Sequence, residues 1–298
     1  MQSQAVGALP QVKIARPRAR WQRLMPLWLL LPSLIVLAVL QVYPTIYTIY
    51  MSFHRLRARQ LIPEGLRNYE RLLNDTNFWA SLQKSFIFVS TTVALTLAIG
   101  LLIAVLLNQR SRFNPIYMVL LFIPWVISDV VAGTIWRWMF QNDYGLIQTV
   151  IAPLTGPTSL YARPDGAMLI VILATVWRSL PFTSLLFLGA LQNVPTEVIE
   201  SAALDGANRI QSFFRVTFPI IRPTFLVALI LTTISGLNSV GVILVLTGNI
   251  PATKTASVYL YQQGWQFGDF GLGAAVSVVM FFINLLLTLA YLQFQGRQ

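Results

Sequence analysis

Cysteine is missing from this chain of 298 residues, and histidine occurs once, at His54. Without thiols there is no disulfide, no thiolate metal site and no cysteine nucleophile, and cysteine usage says nothing of the compartment. One imidazole leaves too few ligands for a zinc centre and no Ser-His-Asp arrangement, so His54 reads as a surface residue. No glycine is followed by lysine, which removes the phosphate loop G-x-x-x-x-G-K-[ST] and with it ATP hydrolysis by this chain. Low-complexity segments and repeats at a solenoid period are also absent. Charge is scarce: 10% of residues are Asp, Glu, Lys or Arg, against 56% hydrophobic. That balance argues against a soluble domain and for a polytopic membrane protein.

What the chain has in quantity is long apolar runs. Segments of about 20 residues or more, enough to cross hydrocarbon as helix, fall at 27–53, 85–107, 116–140, 167–191, 223–246 and 271–294. Runs such as VSTTVALTLAIGLLIAVLL (89–107) lack the strict alternation of membrane β-strands, so helices satisfy the backbone. The expected fold is all-α and polytopic, with six transmembrane helices over 26–298 behind a mobile basic tail, 1–25. Lys13, Arg16, Arg18, Arg20 and Arg23 precede the first run, but no A-x-A-like cleavage site follows, so the run is expected to stay as a helix.

Those five basic residues favour a cytoplasmic N-terminus, and six spans return the C-terminus to the same side. Under that arrangement eleven Lys and Arg lie inside and eight outside, with Arg137 and Arg178 in or near spans. The run RLRAR (55–59) pulls the other way, so charge alone leaves the orientation open. The net charge of +11 is scattered over loops and tails with no basic stripe carrying stacking aromatics, which excludes nucleic acid and leaves membrane lipid as the surrounding partner.

One polar stretch interrupts the apolar pattern. Residues 195–223, PTEVIESAALDGANRIQSFFRVTFPIIRP, hold two glutamates, one aspartate and three arginines within the loop 192–222. Asn193 suits a helix cap, Pro195 a first turn, and Glu197 and Glu200 the positive end of a helix dipole, which predicts a helix over 195–204. Gly206 then supplies a left-handed turn, a second amphipathic piece covers 208–218, and Pro223 opens the next span. By itself this is either an interfacial connector or a docking element with a small-residue patch at Ser201, Ala202 and Ala203.

The stretch ESAALDGANRIQSFFRVTFPIIRP resembles the EAA signature of permease subunits of ABC importers, roughly E-A-A-x-x-D-G-A, about nine residues, then I-x-L-P. Glu200, Ala202, Asp205, Gly206, Ala207 and Pro219 match, whereas Ser201, Val216 and Phe218 replace the usual Ala, Ile and Leu. GLRNYERLLNDTNFWASL (65–82), FIPWVISDVVAGTIWRWMFQNDYGLI (122–147), PFTSLLFLGALQNVPTEVIESAALDGA (181–207) and LNSVGVILVLTGN (237–249) follow in the order of permeases for maltose and related sugars or polyols. The resemblance implies that Glu200, Ser201, Ala202, Asp205, Gly206, Ala207 and Pro219 couple this chain to an ATPase. It also implies a bacterial or archaeal cytoplasmic membrane, a cytoplasmic loop 192–222 and both termini inside. Implied partners are a second, similar permease, an ATPase dimer that binds ATP and Mg, and an extracytoplasmic solute-binding protein. The chain itself is expected to bind no cofactor or metal and to hold no catalytic residue.

Substrate-pathway candidates come from two sources. Charged or polar residues inside spans are costly and usually face a cavity, which singles out Asp129, Arg178 and Asn238. The resemblance adds Thr175, Ser179 and Phe182 beside Arg178, and Gly241 after Asn238; Leu237 stands where family members often carry an aromatic residue. Asp129 and Arg178 fit an ion pair, yet Arg178 equally suits an anionic solute such as glycerol phosphate, and Asp129 a proton site in a stand-alone secondary transporter. Trp136 and Trp138 are expected to anchor the outer end of span three at the interface, and Trp125 invites sugar stacking.

Overall fold

The computed structural model describes residues 20–57, 60–109, 111–156, 160–248 and 250–296, and the chain divides into two units at Tyr47. The expected mobile tail lies outside the described residues up to 19, and from Arg20 onward it is helical. The first unit carries α1 (Arg20–Leu37), a π-helical turn at Ala38–Val42 and the start of α2 (Tyr43–Ser52), with the rings of Tyr43 and Tyr47 stacked 6.2 Å apart. Trp28–Ser52 is apolar enough to span a membrane, as the sequence predicts.

The second unit opens with a short hairpin, β1 (His54–Arg57) paired antiparallel with β2 (Gln60–Pro63), and α3 (Arg67–Leu73). Asn68, fully buried, ties this cap together by donating to the carbonyls of Ser52 and His54 at 2.9 and 3.0 Å. His54 lies at the start of β1, its Nδ1 2.8 Å from the Tyr50 carbonyl. The second span, α4 (Thr76–Leu107), begins nine residues before the apolar run because Asp75 caps it, accepting from the Asn77 N–H at 2.8 Å.

Span three differs from expectation. In place of one helix over 116–140 there are α5 (Asn114–Val126) and α6 (Asp129–Met139), bent by 100° at Ile127 and Ser128. The cause is local: Ser128 takes an extended conformation and its hydroxyl accepts from the Val131 N–H, so a new helix starts inside the apolar run with Asp129 in its first turn. After α7 (Leu146–Thr155), α8 (Pro164–Gln192) runs unbroken through Pro181. Asn193 ends α8 by donating back to the Gly189 carbonyl, so it does not start the next helix; Pro195 precedes α9 (Thr196–Leu204) instead.

Span five also shifts. It begins at α10 (Arg209–Ser212), passes through a π-helical turn at Phe213–Thr217 and continues as α11 (Phe218–Leu237), so that Pro223 lies inside the helix. The wide turn directly precedes Pro219, whose ring lacks an N–H and does not fit a regular α-turn. The segment placed at 238–246 by the sequence forms a separate short helix, α12 (Gly241–Thr247), after a break at Asn238. Then come α13 (Ala256–Tyr261) and the last span, α14 (Phe270–Gly296). Five helices among the described residues are long and apolar enough to cross a bilayer, or six when the bent α5–α6 pair is counted as one span.

The core lies between α4 and α8, with α11, α12 and α14 packed around them. Thr96, Gly100 and Ala104, four residues apart, form a buried small-residue face on α4 that admits α8 closely. A Cβ on Gly100 would lie 3.0 Å from Thr183 Cγ2. Trp136 is half-buried against this interior, stacked on Phe140 and 6.0 Å from Trp177, whereas Trp138 is exposed.

On the cap side Tyr259, 1% exposed, donates to Asp75 at 2.6 Å, and Arg71 pairs with Asp269 at 2.7 Å. Burial pushes the Tyr259 phenol well above its ordinary value, and the neighbouring carboxylate adds to the shift. Burial alone would raise Asp75, but hydrogen bonds from Tyr259 and Asn77 outweigh it and hold the carboxyl below its usual range. The raised phenol contributes stability that is complete below its unfolded pKa, about 10, and is lost as pH rises beyond it; the depressed carboxyl contributes stability lost as pH falls below about 4. The detergent-solubilised protein should therefore lose thermal stability above about pH 10, and Tyr259→Phe should abolish that alkaline loss while destabilising the protein at neutral pH by about 1.5–3 kcal/mol. Melting curves across pH test both; an alkaline slope unchanged in the variant would remove Tyr259 as its source.

Candidate functional site

Two groups of residues qualify, one at the break of span three and one in the polar loop. At the break, the Ile127 carbonyl has lost its helical partner and receives the Arg178 Nε–H at 3.4 Å. Arg178 projects from the middle of α8, and its Nη2 lies 2.6 Å from Asp129 Oδ1. Gly241, the first residue of α12, makes room for that carboxylate: a Cβ there would stand 2.7 Å from Asp129 Cβ and 2.8 Å from its Oδ2. One turn on, a Cβ on Gly133 would be 2.9 Å from Val245 Cβ, so α6 and α12 touch through glycines at both levels.

Beside the ion pair is a cleft of about 140 Å³. Trp125 and Phe182 stack across it, ring centres 6.5 Å apart and planes 12° apart. Arg178, Ser179, Thr183, Thr232 and Ser235 complete its polar lining. The Thr183 hydroxyl is buried with no hydrogen-bond partner among the described residues. An aromatic pair with hydroxyls and a guanidinium can hold a ring that has one apolar face and a rim of OH groups.

Among the residues singled out from sequence, Arg178, Ser179 and Phe182 line this cleft, and Asp129 and Gly241 adjoin it through the ion pair. Thr175 turns its hydroxyl onto the Val171 carbonyl, and Asn238 folds its amide back onto Ile234; neither lines the cleft. Trp125 joins the cleft by stacking on a residue 57 positions away, while Thr232 and Ser235 enter on α11. The Ser128-Asp129 pair, a helix-start signal inside an apolar run, was the clue to the break that creates the site.

The polar loop forms a tightly specified turn. The Ala207 N–H reaches the Ala202 carbonyl at 3.0 Å and the Gly206 N–H the Ala203 carbonyl at 3.1 Å, a Schellman ending of α9 that places Gly206 at φ +84°. Two residues later Asn208 starts α10 with a reciprocal capping box: its side chain accepts from the Gln211 N–H, and Gln211 accepts from the Asn208 N–H. Glu200, Ser201 and Asp205 are exposed, the Ser201 hydroxyl bonding Val198, and Ala202 and Ala207 are half-buried. Leu204 is 89% exposed, a large apolar side chain offered outward from a polar loop. Pro219 lies at the junction of the π-helical turn and α11. A cavity of about 250 Å³, lined by Val105, Asn108, Ile199, Ala203, Ala207 and Phe213, separates α9 and α10 from the ends of the core spans.

A family model described as a binding-protein-dependent transport system inner membrane component matches residues 96–298. The trehalose/maltose transport system permease protein of Thermococcus litoralis is 34% identical over 271 residues, 89% of this chain and 91% of the relative. The arabinooligosaccharides transport system permease protein of Halalkalibacterium halodurans is 36% identical over 284 residues, 92% of this chain and 89% of the relative. In the crystal structure of a bacterial ABC transporter involved in the import of the acidic polysaccharide alginate, one chain shares the fold at a TM-score of 0.80 and 20% identity, covering 93% of this chain and 98% of its own. By the family match and these likenesses, the chain belongs to the binding-protein-dependent inner membrane components, the multi-pass permease subunits of ABC importers, without an ATPase site of its own.

Proposed function

We propose that this permease carries a carbohydrate or polyol, and that the cleft beside Arg178 is part of its path. The observation that carries the reading is the Trp125–Phe182 stack facing Ser179, Thr183, Thr232 and Ser235, because ring faces and hydroxyls together match the two chemistries of a sugar. The sugars in the names of the two relatives support the same class. Asp129 faces Arg178 at 2.6 Å, which supports an ion pair between the two charges.

In this reading a second permease completes the channel, two ATPase subunits bind ATP and Mg on the cytoplasmic side, and a solute-binding protein delivers cargo from outside. Both termini and the loop 192–222 face the cytoplasm. The exposed ridge of Glu200, Leu204 and Asp205 seats on the ATPase, with Ser201, Ala202, Gly206, Ala207 and Pro219 fixing its shape. Closure of the ATPases tilts α9 and α10, and the cavity beneath them gives the movement room before it reaches α4 and α11. No covalent step falls to this chain.

Gly206→Asp forces a side chain into left-handed backbone at a cost of about 1–2 kcal/mol and adds charge at the ridge. The variant should reach the membrane at normal levels, transport less than about a tenth as fast and lose cargo-stimulated ATPase activity. Full stimulation in that variant would refute a coupling role. For the cleft, Phe182→Ala should raise the concentration for half-maximal uptake by about tenfold, the scale of one lost aromatic contact. Cargo is first identified by co-purifying the binding protein and screening it against sugars; uptake unaffected by Phe182→Ala would place the path elsewhere.

A further inference from the structure

The ion pair at the break sets the charge of the cleft. Among the described residues that line it, Arg178 alone is charged. Asp129 faces the guanidinium at 2.6 Å, and neither side chain is sealed away, with 35% of Arg178 and 39% of Asp129 exposed. The carboxylate's position is set by its backbone, which begins α6 behind the Ser128 cap, and by the close approach of α12 at Gly241, where a Cβ would stand 2.7 Å from Asp129 Cβ. Arg178 is held from a second side by the Ile127 carbonyl, which the helix break has released. An arginine needed only to satisfy that carbonyl would leave a full positive charge at the cleft wall. With Asp129 fixed beside it the wall carries no net charge and still offers donors and acceptors to hydroxyl groups.

We propose that Asp129 is a specificity-determining residue, which cancels the charge of Arg178 so that the cleft admits uncharged polyhydroxyl solutes and disfavours anionic ones. The inference rests on the cleft being a sugar path. An anionic sugar entering the wild-type cleft would have to compete with Asp129 for the guanidinium and would meet the carboxylate's own charge; a neutral sugar meets neither cost. Removing Asp129 alone should therefore turn the cleft toward anions, whereas removing both charges should not.

The test compares glucose with glucuronate, which share a ring and differ by a carboxylate. Their binding to the detergent-purified importer complex is measured by saturation-transfer NMR for the wild type, Asp129→Asn, Arg178→Gln and the double variant. The expected result is a shift of the affinity ratio toward glucuronate by about tenfold or more in Asp129→Asn. Arg178→Gln should shift it the other way, and the double variant should return it to the wild-type value. A purely structural bridge predicts loss of stability in both single variants with no change of ratio. A ratio that is the same in all four proteins, including the case in which none binds glucuronate, overturns the proposal, as does a shift that persists in the double variant. Should Asp129→Asn fail to assemble, Arg178→Gln decides the matter by itself: an unchanged ratio overturns the proposal. The sugar reading of the cleft fails separately, if Phe182→Ala leaves uptake intact while the charge-dependent ratio still moves.

Discussion

In hydrocarbon a backbone carbonyl without a partner has no water to turn to, and that constraint organises the site. Span three stops being a helix at Ile127 and starts again at Ser128, deep in an otherwise apolar run. Three groups at the break find partners within the protein: the Ile127 carbonyl in Arg178, the Val131 N–H in the Ser128 hydroxyl, and the Arg178 guanidinium in Asp129. The break is tolerable only because α8 brings a guanidinium to it. Equally, the guanidinium is tolerable in the membrane only because the break gives it a carbonyl and a carboxylate.

That mutual dependence needs α5, α6, α8 and α12 at close and fixed separations. Lipid supplies no hydrophobic drive for helices to associate, so the work falls to close packing of small residues. Gly100 lets α4 approach α8 at Thr183, and Gly133 and Gly241 let α6 approach α12. The same α8 carries Ser179, Phe182 and Thr183 into the cleft, so the packing that holds the core also sets the walls of the proposed path.

At the other end of α8 the chain is shaped by local chemistry. A Schellman ending at Gly206 and a capping box at Asn208 and Gln211 determine the angle between two short helices with almost no help from packing, as the exposure of Leu204 and Ile210 shows. A ridge held by its own hydrogen bonds and standing over a cavity can move as a unit.

How much of this was legible in the sequence follows from the range of the forces involved. The apolar runs alone gave helices for spans one, two, four and six nearly as they stand, because helix length and hydropathy are local properties. Spans three and five were misdrawn, since hydropathy is blind to a Ser cap or an Asn break inside an oily segment and counts Pro223 as a start when a wide turn upstream has already absorbed Pro219. The turn at Gly206 was readable because only glycine takes φ +84° without strain and the residues that close it lie within five positions. Asp129 and Arg178 could be singled out as charges in the membrane, but the sequence left pairing, proton binding and anion binding open. Only the tertiary structure, which carries residues 49 positions apart to 2.6 Å, decided for the pair. It likewise brought Trp125 onto Phe182 and turned Asn238 away, because contact between distant side chains depends on how helices pack, and packing is written in no single segment of the chain.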